Sequence, residues 1–187
     1  DRLTSCHEAY IIGAEGSSDR GVTNNNASIN ELVPVTIDPD DPAQIIYTAG
    51  LTGKPLGAVL THRNLCEELS MIQPIFRRQP EDVGLCLIPL FHSFGATVNM
   101  LNVIQAGCST VMMDRLTMEA LFSAIEKEKI TYICSVPRLY VGMVFEEKAT
   151  KYDLSSLKLC VTGGSAMPPE FIPVFEQKFG ARLLEGY

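Results

Sequence analysis

Four short apolar runs, Val83 to Pro89, Thr110 to Met113, Thr131 to Val136 and Leu157 to Thr162, alternate with segments of helical periodicity. That alternation limits the chain to few folds. Runs that are apolar at nearly every position suit strands buried on both faces, and strands separated by helices suit parallel pairing. The expected fold is therefore α/β, a mostly parallel sheet with helices on both faces and right-handed crossovers. In such folds ligands bind beyond the carboxyl ends of the strands.

The helices carry their own signals. Thr61 is placed to cap a helix with Leu65, Leu69 and Ile72 on one face, ended by Pro74. Phe94 to Gln105 is apolar nearly all round and reads as one buried helix. Thr117 to Lys129 has a threonine cap, Glu119 in its first turn, Leu121, Phe122 and Ile125 on one face and Lys127 and Lys129 at its carboxyl end. A helix follows Pro137, and another opens at Pro168-Pro169 and stops at Gly180. Pro173 inside the last predicts a kink or a late start. Upstream, Ala9 to Ile12 reads as a β-like run, Gly16 to Asn26 as a mobile polar loop, Ser28 to Leu32 as a short helix and Asp38 to Pro42 as a turn. Residues 1–60 then hold leading strands and a loop, and residues 61–187 the α/β core.

The loop Tyr47-Thr-Ala-Gly-Leu-Thr-Gly-Lys-Pro-Leu-Gly57 lies between apolar runs at Gln44 to Tyr47 and Ala58 to Leu60. Glycines at 50, 53 and 57 permit positive φ and let backbone N–H groups converge on an anion, with hydroxyls from Thr48 and Thr52 and a charge from Lys54. The spacing differs from the Walker loop, because Gly50 and Gly53 are three apart and Pro55 follows the lysine. An ordinary hairpin turn would use the same residue types.

His92 stands between a buried strand and a buried helix, where it could line a cavity or satisfy free N–H groups at the helix start. Gly163-Gly-Ser-Ala166 also joins a strand to a helix, a place where backbone can approach a planar ligand, or a plain turn.

Charge and cysteines narrow the classes. Fifteen basic against twenty-two acidic residues give −7, and the largest basic cluster is Arg77-Arg78, which disfavours a nucleic-acid surface. An apolar fraction of 46% with 20% charged residues fits one globular core. The six cysteines form no C-x-x-C pair and no zinc spacing, so no metal site is assigned. Buried free thiols in a reducing, cytoplasmic setting are expected. These 187 residues show no signal-peptide pattern and no apolar stretch approaching a membrane span.

The phrase Ile46 to Leu65 resembles the signature loop of the adenylate-forming (AMP-binding) superfamily, which includes long-chain fatty-acid and other acyl-CoA ligases and the luciferases. Pro89-Leu-Phe-His-Ser-Phe-Gly95, Val136-Pro-Arg-Leu-Tyr140, and Val161 to Glu170 leading to Leu184-Glu-Gly-Tyr187 follow in that family's order. The resemblance implies part of an acyl-CoA synthetase-like large domain. It also implies ATP, Mg²⁺ and coenzyme A as reaction partners and a carboxylic acid, a fatty acid foremost, as substrate. Thr48, Ala49, Gly50, Leu51, Thr52, Gly53, Lys54, Glu185, Gly186 and Tyr187 would contact nucleotide, with Tyr187 stacked on adenine. Gly163, Gly164, Ser165 and Ala166 would border adenine and the acyl tunnel, and His92 would be the catalytic residue beside the acyl group. Residues 91 to 93 lack the acid found in amino-acid-activating relatives, which points to an uncharged tail. In such enzymes the metal-binding glutamate, the ribose-binding aspartate and the small domain with its catalytic lysine lie beyond Tyr187. The chain is expected to be an inactive piece of a longer ligase. The loop departs from the family at Ala49, Leu51 and Leu56, losing two hydroxyls and one positive charge. A degenerate relative that binds an acyl group or partner, or an adenylating domain serving a carrier protein, are the alternatives.

Overall fold

The computed structural model describes residues 10–12, 36–50, 53–113 and 115–186. The expected Gly16 to Asn26 loop and Ser28 to Leu32 helix lie outside the described residues. Strand β1, Tyr10–Ile12, falls within the run expected to be β-like.

A turn at residues 38–41, closed by the Asp41 N–H donating to the Asp38 carbonyl at 2.9 Å, leads into β2 (Pro42–Thr48). Strand β3 (Leu56–Thr61) pairs with it antiparallel, so the glycine loop is a hairpin tip. Helix α1 (His62–Phe76) follows without a break, and Thr61 caps it in a capping box with Asn64. The same turn satisfies two further N–H groups of α1: His62 donates to the Asp41 carbonyl and Arg63 to that of Pro39. The Arg63 guanidinium meets both oxygens of Asp40, at 2.7 and 3.0 Å. Hairpin and helix thus share one clamped base.

Strand β4 (Val83–Cys86) leads to a π-helix (Phe94–Leu101), α2 (Asn102–Ala106) and β5 (Ser109–Met113). Then come α3 (Met118–Glu128), β6 (Tyr132–Ser135), α4 (Pro137–Phe145), a 3-10 turn at Glu147–Lys151, β7 (Leu159–Thr162), α5 (Phe171–Phe179) and β8 (Arg182–Glu185). The strands form a six-stranded sheet in the order β1-β5-β4-β6-β7-β8, parallel throughout.

Successive strand residues feed opposite cores, because side chains alternate faces along a strand. Ile133, Cys160 and Leu183 join α3, α4 and α5 in the larger core, with Leu121, Phe122 and Ile125 fully buried. Tyr132, Cys134, Leu159 and Val161 pack on the other face against Phe76 of α1 and Val98 of the π-helix. Each fully buried Leu, Ile or Phe contributes about 1.5–3 kcal/mol. Tyr140 ties the layers together, its hydroxyl 2.9 Å from the carbonyl oxygens of both Ile133 and Val161.

Several expectations are corrected. Helix α1 runs two residues past Pro74, since a proline in the last turn costs one hydrogen bond, and Arg77 closes the helix in a left-handed conformation by donating to Gln73. Strand β4 ends at Cys86, three residues short of Pro89. The single helix expected over Phe94 to Gln105 is π-helical for its first two turns. Helix α5 takes the late start that Pro173 predicts. Cys86, Cys134 and Cys160 are buried as expected, but Cys66 is exposed and Cys108 half-buried.

Candidate functional site

Beyond the carboxyl ends of β7 and β8, on the face covered by α1 and the π-helix, lies a cavity of about 660 Å³, within the usual range for small-molecule sites. Three elements build its wall. Helix α1 contributes Glu68, Ile72, Ile75 and Phe76, spaced so that they share one face. The entry to the π-helix contributes His92 and Phe94. The strand ends contribute Gly163, Gly164, Glu185 and Gly186.

The entry segment is tightly fixed. A Cβ on Gly95 would sit 2.3 Å from the Pro89 carbonyl oxygen and 2.7 Å from that of Ile88, so only glycine fits there. The His92 N–H donates to the Pro89 carbonyl at 3.0 Å, and the His92 carbonyl accepts from Ala96 at 2.9 Å. Its ring Nδ1 accepts the Phe94 N–H at 3.2 Å. His92 therefore both caps the helix start and lines the cavity, two roles that the sequence left as alternatives.

At the strand ends, Gly163 donates to Ser135 at 3.0 Å and Gly186 to Thr162 at 2.8 Å, extending the ladder past its last formal pairs. Glu185 Oε1 accepts the Met167 N–H at 2.9 Å, which holds the turn after Gly164 against β8. Ser165 and Ala166 are exposed and do not line the cavity. Tyr187 lies outside the described residues.

The hairpin tip is separate from that wall. Gly50 and Gly53 have φ of 70° and 78°, and the Gly53 N–H donates to the Gly50 carbonyl at 3.2 Å. A Cβ on Gly50 would come within 2.0 Å of the Lys54 carbonyl oxygen, so the turn requires glycine there. Thr48 turns its hydroxyl to the Leu56 carbonyl at 3.5 Å, a long contact that leaves it available to another acceptor. Thr48, Ala49 and Lys54 are exposed, and Leu51 and Thr52 lie outside the described residues.

Electrostatically the cavity is an apolar pocket edged by two carboxylates, Glu68 and Glu185, with His92 the only side-chain nitrogen among the described residues that line it. An apolar body suits it, and the motif cation Lys54, at the hairpin tip, is not among its lining residues. Among the described residues no group of three His, Cys, Asp or Glu could hold a metal ion unaided, whereas Mg²⁺ is commonly held by one or two carboxylates together with substrate phosphates. None of their helices is long and apolar enough to cross a membrane.

Sequence reasoning named Glu185 and Gly186 at the end of β8 but missed the wall supplied by α1 and the contribution of Leu184. Glu68, Ile72 and Phe76 recur every four residues, but of these only Ile72 was read from the sequence, as part of an apolar helix face with Leu65 and Leu69. Within β8, Leu183 is buried between the exposed Arg182 and the half-buried Leu184, an alternation too short to register.

The sequence profile of AMP-binding enzymes matches residues 4–187. The chain is 35% identical over 167 residues to a 4-coumarate–CoA ligase-like protein of Arabidopsis thaliana, covering 87% of this chain and 29% of that protein. It is 33% identical to a long-chain-fatty-acid–CoA ligase of Bacillus subtilis, covering 81% and 28%. The chain thus spans under a third of either relative. Its fold matches the inhibitor-bound amino-terminal domain of FACL13 from Mycobacterium tuberculosis (TM-score 0.77, 25% identity, 84% of this chain and 39% of that one). It also matches a red-emitting luciferase of Phrixothrix hirtus (TM-score 0.74, 28% identity, 81% and 37%).

Proposed function

The chain belongs to the AMP-binding enzyme family, and from that premise we propose that it is part of an ATP-dependent ligase that joins a carboxylic acid to coenzyme A. The observation that carries the reading is the cavity itself, which brings His92, Gly163, Gly164, Glu185 and Gly186 to one wall and lines the rest with apolar side chains. In the first half-reaction a carboxylate oxygen attacks the α-phosphorus of ATP, the bond to the β-phosphate breaks, and pyrophosphate leaves. In the second, the thiolate of coenzyme A attacks the acyl carbon and AMP leaves.

This chain's residues act in that scheme by binding and orientation. The apolar stripe of α1 and Phe94 hold the acid's tail and exclude water from it, which favours an alkyl or aryl acid, fatty acids included, over an amino acid. The backbone at Gly163 to Gly164 and Gly186 offers a flat surface for the adenine, which Tyr187 would cover. The turn from Thr48 to Lys54 offers N–H groups, hydroxyls and one cation to the phosphates. No step is assigned to Mg²⁺, for which the described residues present no group of three candidate ligands. Free thiols at Cys66, Cys86, Cys108, Cys134 and Cys160 support a cytoplasmic setting.

Carboxylate-dependent exchange of labelled pyrophosphate into ATP by the full-length parent tests the reading, and no exchange with any of octanoate, palmitate or 4-coumarate would sink it. Residues 1–187 alone are expected to give none. A second reading, a relative that binds an acyl group without activating it, is favoured by Leu56, 61% exposed where the family places a lysine. It predicts tight acyl binding by the parent with no exchange. Delivery to a carrier protein instead of coenzyme A would show in which thiol accepts the acyl group.

A further inference from the structure

The cavity has a blind end. Of the residues that form the smaller core, Phe76, Val98 and Val161 line the cavity, whereas Tyr132, Cys134 and Leu159, packed with them, do not. Phe76 is the last residue of α1, and its carbonyl oxygen accepts the Tyr132 hydroxyl at 2.7 Å. Tyr132 opens β6, so this contact pins Phe76 toward the amino end of the sheet, away from the glycines at the mouth. From Glu68 to Phe76 the helix rises about 12 Å. From Val161 to Gly164 the chain at the end of β7 advances about 10 Å.

Arg78 braces Phe76 from behind. Its guanidinium lies 5.4 Å from the centre of the Phe76 ring and 5.0 Å from that of Tyr132, within cation–π reach of both. The residue is only 4% exposed, one nitrogen donates to Cys134 Sγ at 3.4 Å, and Nε and Nη1 have no partner among the described residues. With so few hydrogen bonds, the two rings carry much of what offsets burying the charge. A ring held through its backbone by Tyr132 and through its face by a buried cation has little freedom to swing aside.

We propose that Phe76 is the floor of the acyl cavity and limits the acid to an alkyl tail of about eight to ten carbons, or an aryl tail of like length, with Arg78 positioning the ring. The inference rests on reading the cavity as the acyl site. Bonds of about 1.5 Å in a staggered zigzag advance an extended alkyl chain by roughly 1.3 Å per carbon, so eight carbons span about 10 Å and twelve about 16 Å. The first fits above Phe76 and the second does not. Each methylene moved from water onto the apolar wall tightens binding about fourfold, and a methylene beyond the floor adds nothing.

The test is a binding series of the 187-residue chain with sodium hexanoate, octanoate, decanoate and dodecanoate below their micelle-forming concentrations, read from the methyl shifts of Val98, Val161 and Leu184. Wild type is expected to gain about fourfold per methylene from hexanoate to octanoate and nothing from decanoate to dodecanoate. Phe76→Ala, or Phe76→Leu if the alanine variant does not fold, should keep the hexanoate affinity and move the break to a longer acid. Arg78→Met, which keeps an unbranched stem against both rings without the charge, should do the same, and Arg78→Lys should restore the wild-type break. A purely structural role for Arg78 would weaken all four acids alike and leave the break in place, which overturns the positioning. A wild-type affinity that climbs through dodecanoate, the tail leaving past the exposed Ile75, or a break unmoved by either Phe76 variant, overturns the floor and leaves the acyl cavity standing. No shift on the cavity wall with any of the four acids removes the acyl reading and the floor with it.

Discussion

Gly95 lies directly against the Pro89 carbonyl, so near that a methyl group on its Cα would stand 2.3 Å from that oxygen. The strand-to-helix entry closes only because this side chain is missing, and His92 sits inside the closed segment. Gly95→Ala is therefore expected to destabilise the fold by about 3 kcal/mol, the upper end for overpacking, and to release the Phe94 N–H from His92. Urea unfolding measures the first effect and the histidine spectrum the second. A stability within about 0.5 kcal/mol of wild type, the ordinary scatter of surface changes, would mean that the backbone yields easily there.

The amino end of the sheet holds a different kind of contact. The Asp82 carboxylate is 3% exposed, accepts from Lys158 Nζ at 2.7 Å and also accepts the Gln79 N–H at 2.8 Å. Burial pushes this carboxyl up, but the bonds from Lys158, Gln79 and Thr131 outweigh it and hold it below its usual value. Because the folded-state value is depressed, the contribution is present above the unfolded carboxylate range near pH 4 and is lost as pH falls further. Asp82→Asn should cost about 1–2 kcal/mol at pH 7, with Lys158 60% exposed and partly screened, and much less at pH 2.5. Unfolding curves of both proteins across that range decide it, and parallel curves would rule the carboxylate out.

Tyr140 is fully buried with its hydroxyl between two strand carbonyls. Burial pushes its phenol well above the usual value, so it stays neutral where exposed tyrosines ionise. Tyr140→Phe should lose about 1 kcal/mol, measured by urea unfolding, and should leave the absorbance titration below pH 11 unchanged. A smaller phenolate signal in the variant would show that the hydroxyl reaches water.

Leu56 lies beside Gly50 at the base of the hairpin tip and is largely exposed. A lysine there would add a charge near the phosphates in the proposed mode. Leu56→Lys in the full-length parent is expected to tighten ATP by about tenfold at low salt, the gain shrinking as salt is raised. Equal affinities at low salt would mean that Lys54 or another group already supplies the charge.

The larger core was legible because strands buried on both faces leave unbroken apolar runs, as at Thr131 to Val136. The helices with good caps, Thr61 and Thr117, were legible for a local reason, since a cap's partner is three residues away. The π-helix was not, because its extra residue per turn leaves no mark in a segment apolar nearly all round. His92 and Gly163 could be named singly, but their meeting on one wall depends on how α1 and the π-helix pack over β7 and β8, and pairing across the sheet is not written in any one segment. Cys66 misled the reading because a cysteine on an outward helix face looks the same in sequence as a buried one.

The pairing of Tyr10 with Val111 has a consequence for the order of assembly. Other neighbours in the sheet join residues much closer in sequence, Val83 with Ser109 and Tyr132 with Leu159 among them. Closing the longer interval costs about 1 kcal/mol more in chain entropy. During synthesis β1 leaves the ribosome first, yet its partner follows only after roughly 5–20 s at ordinary elongation rates. Until then its backbone N–H and C=O groups have no strand to meet, and the edge of β5 stands open to other chains once it forms. Pulse-labelled hydrogen exchange during refolding is expected to protect Ile133 before Ile11, and the reverse order would place the first nucleus at the edge of the sheet and not at its centre.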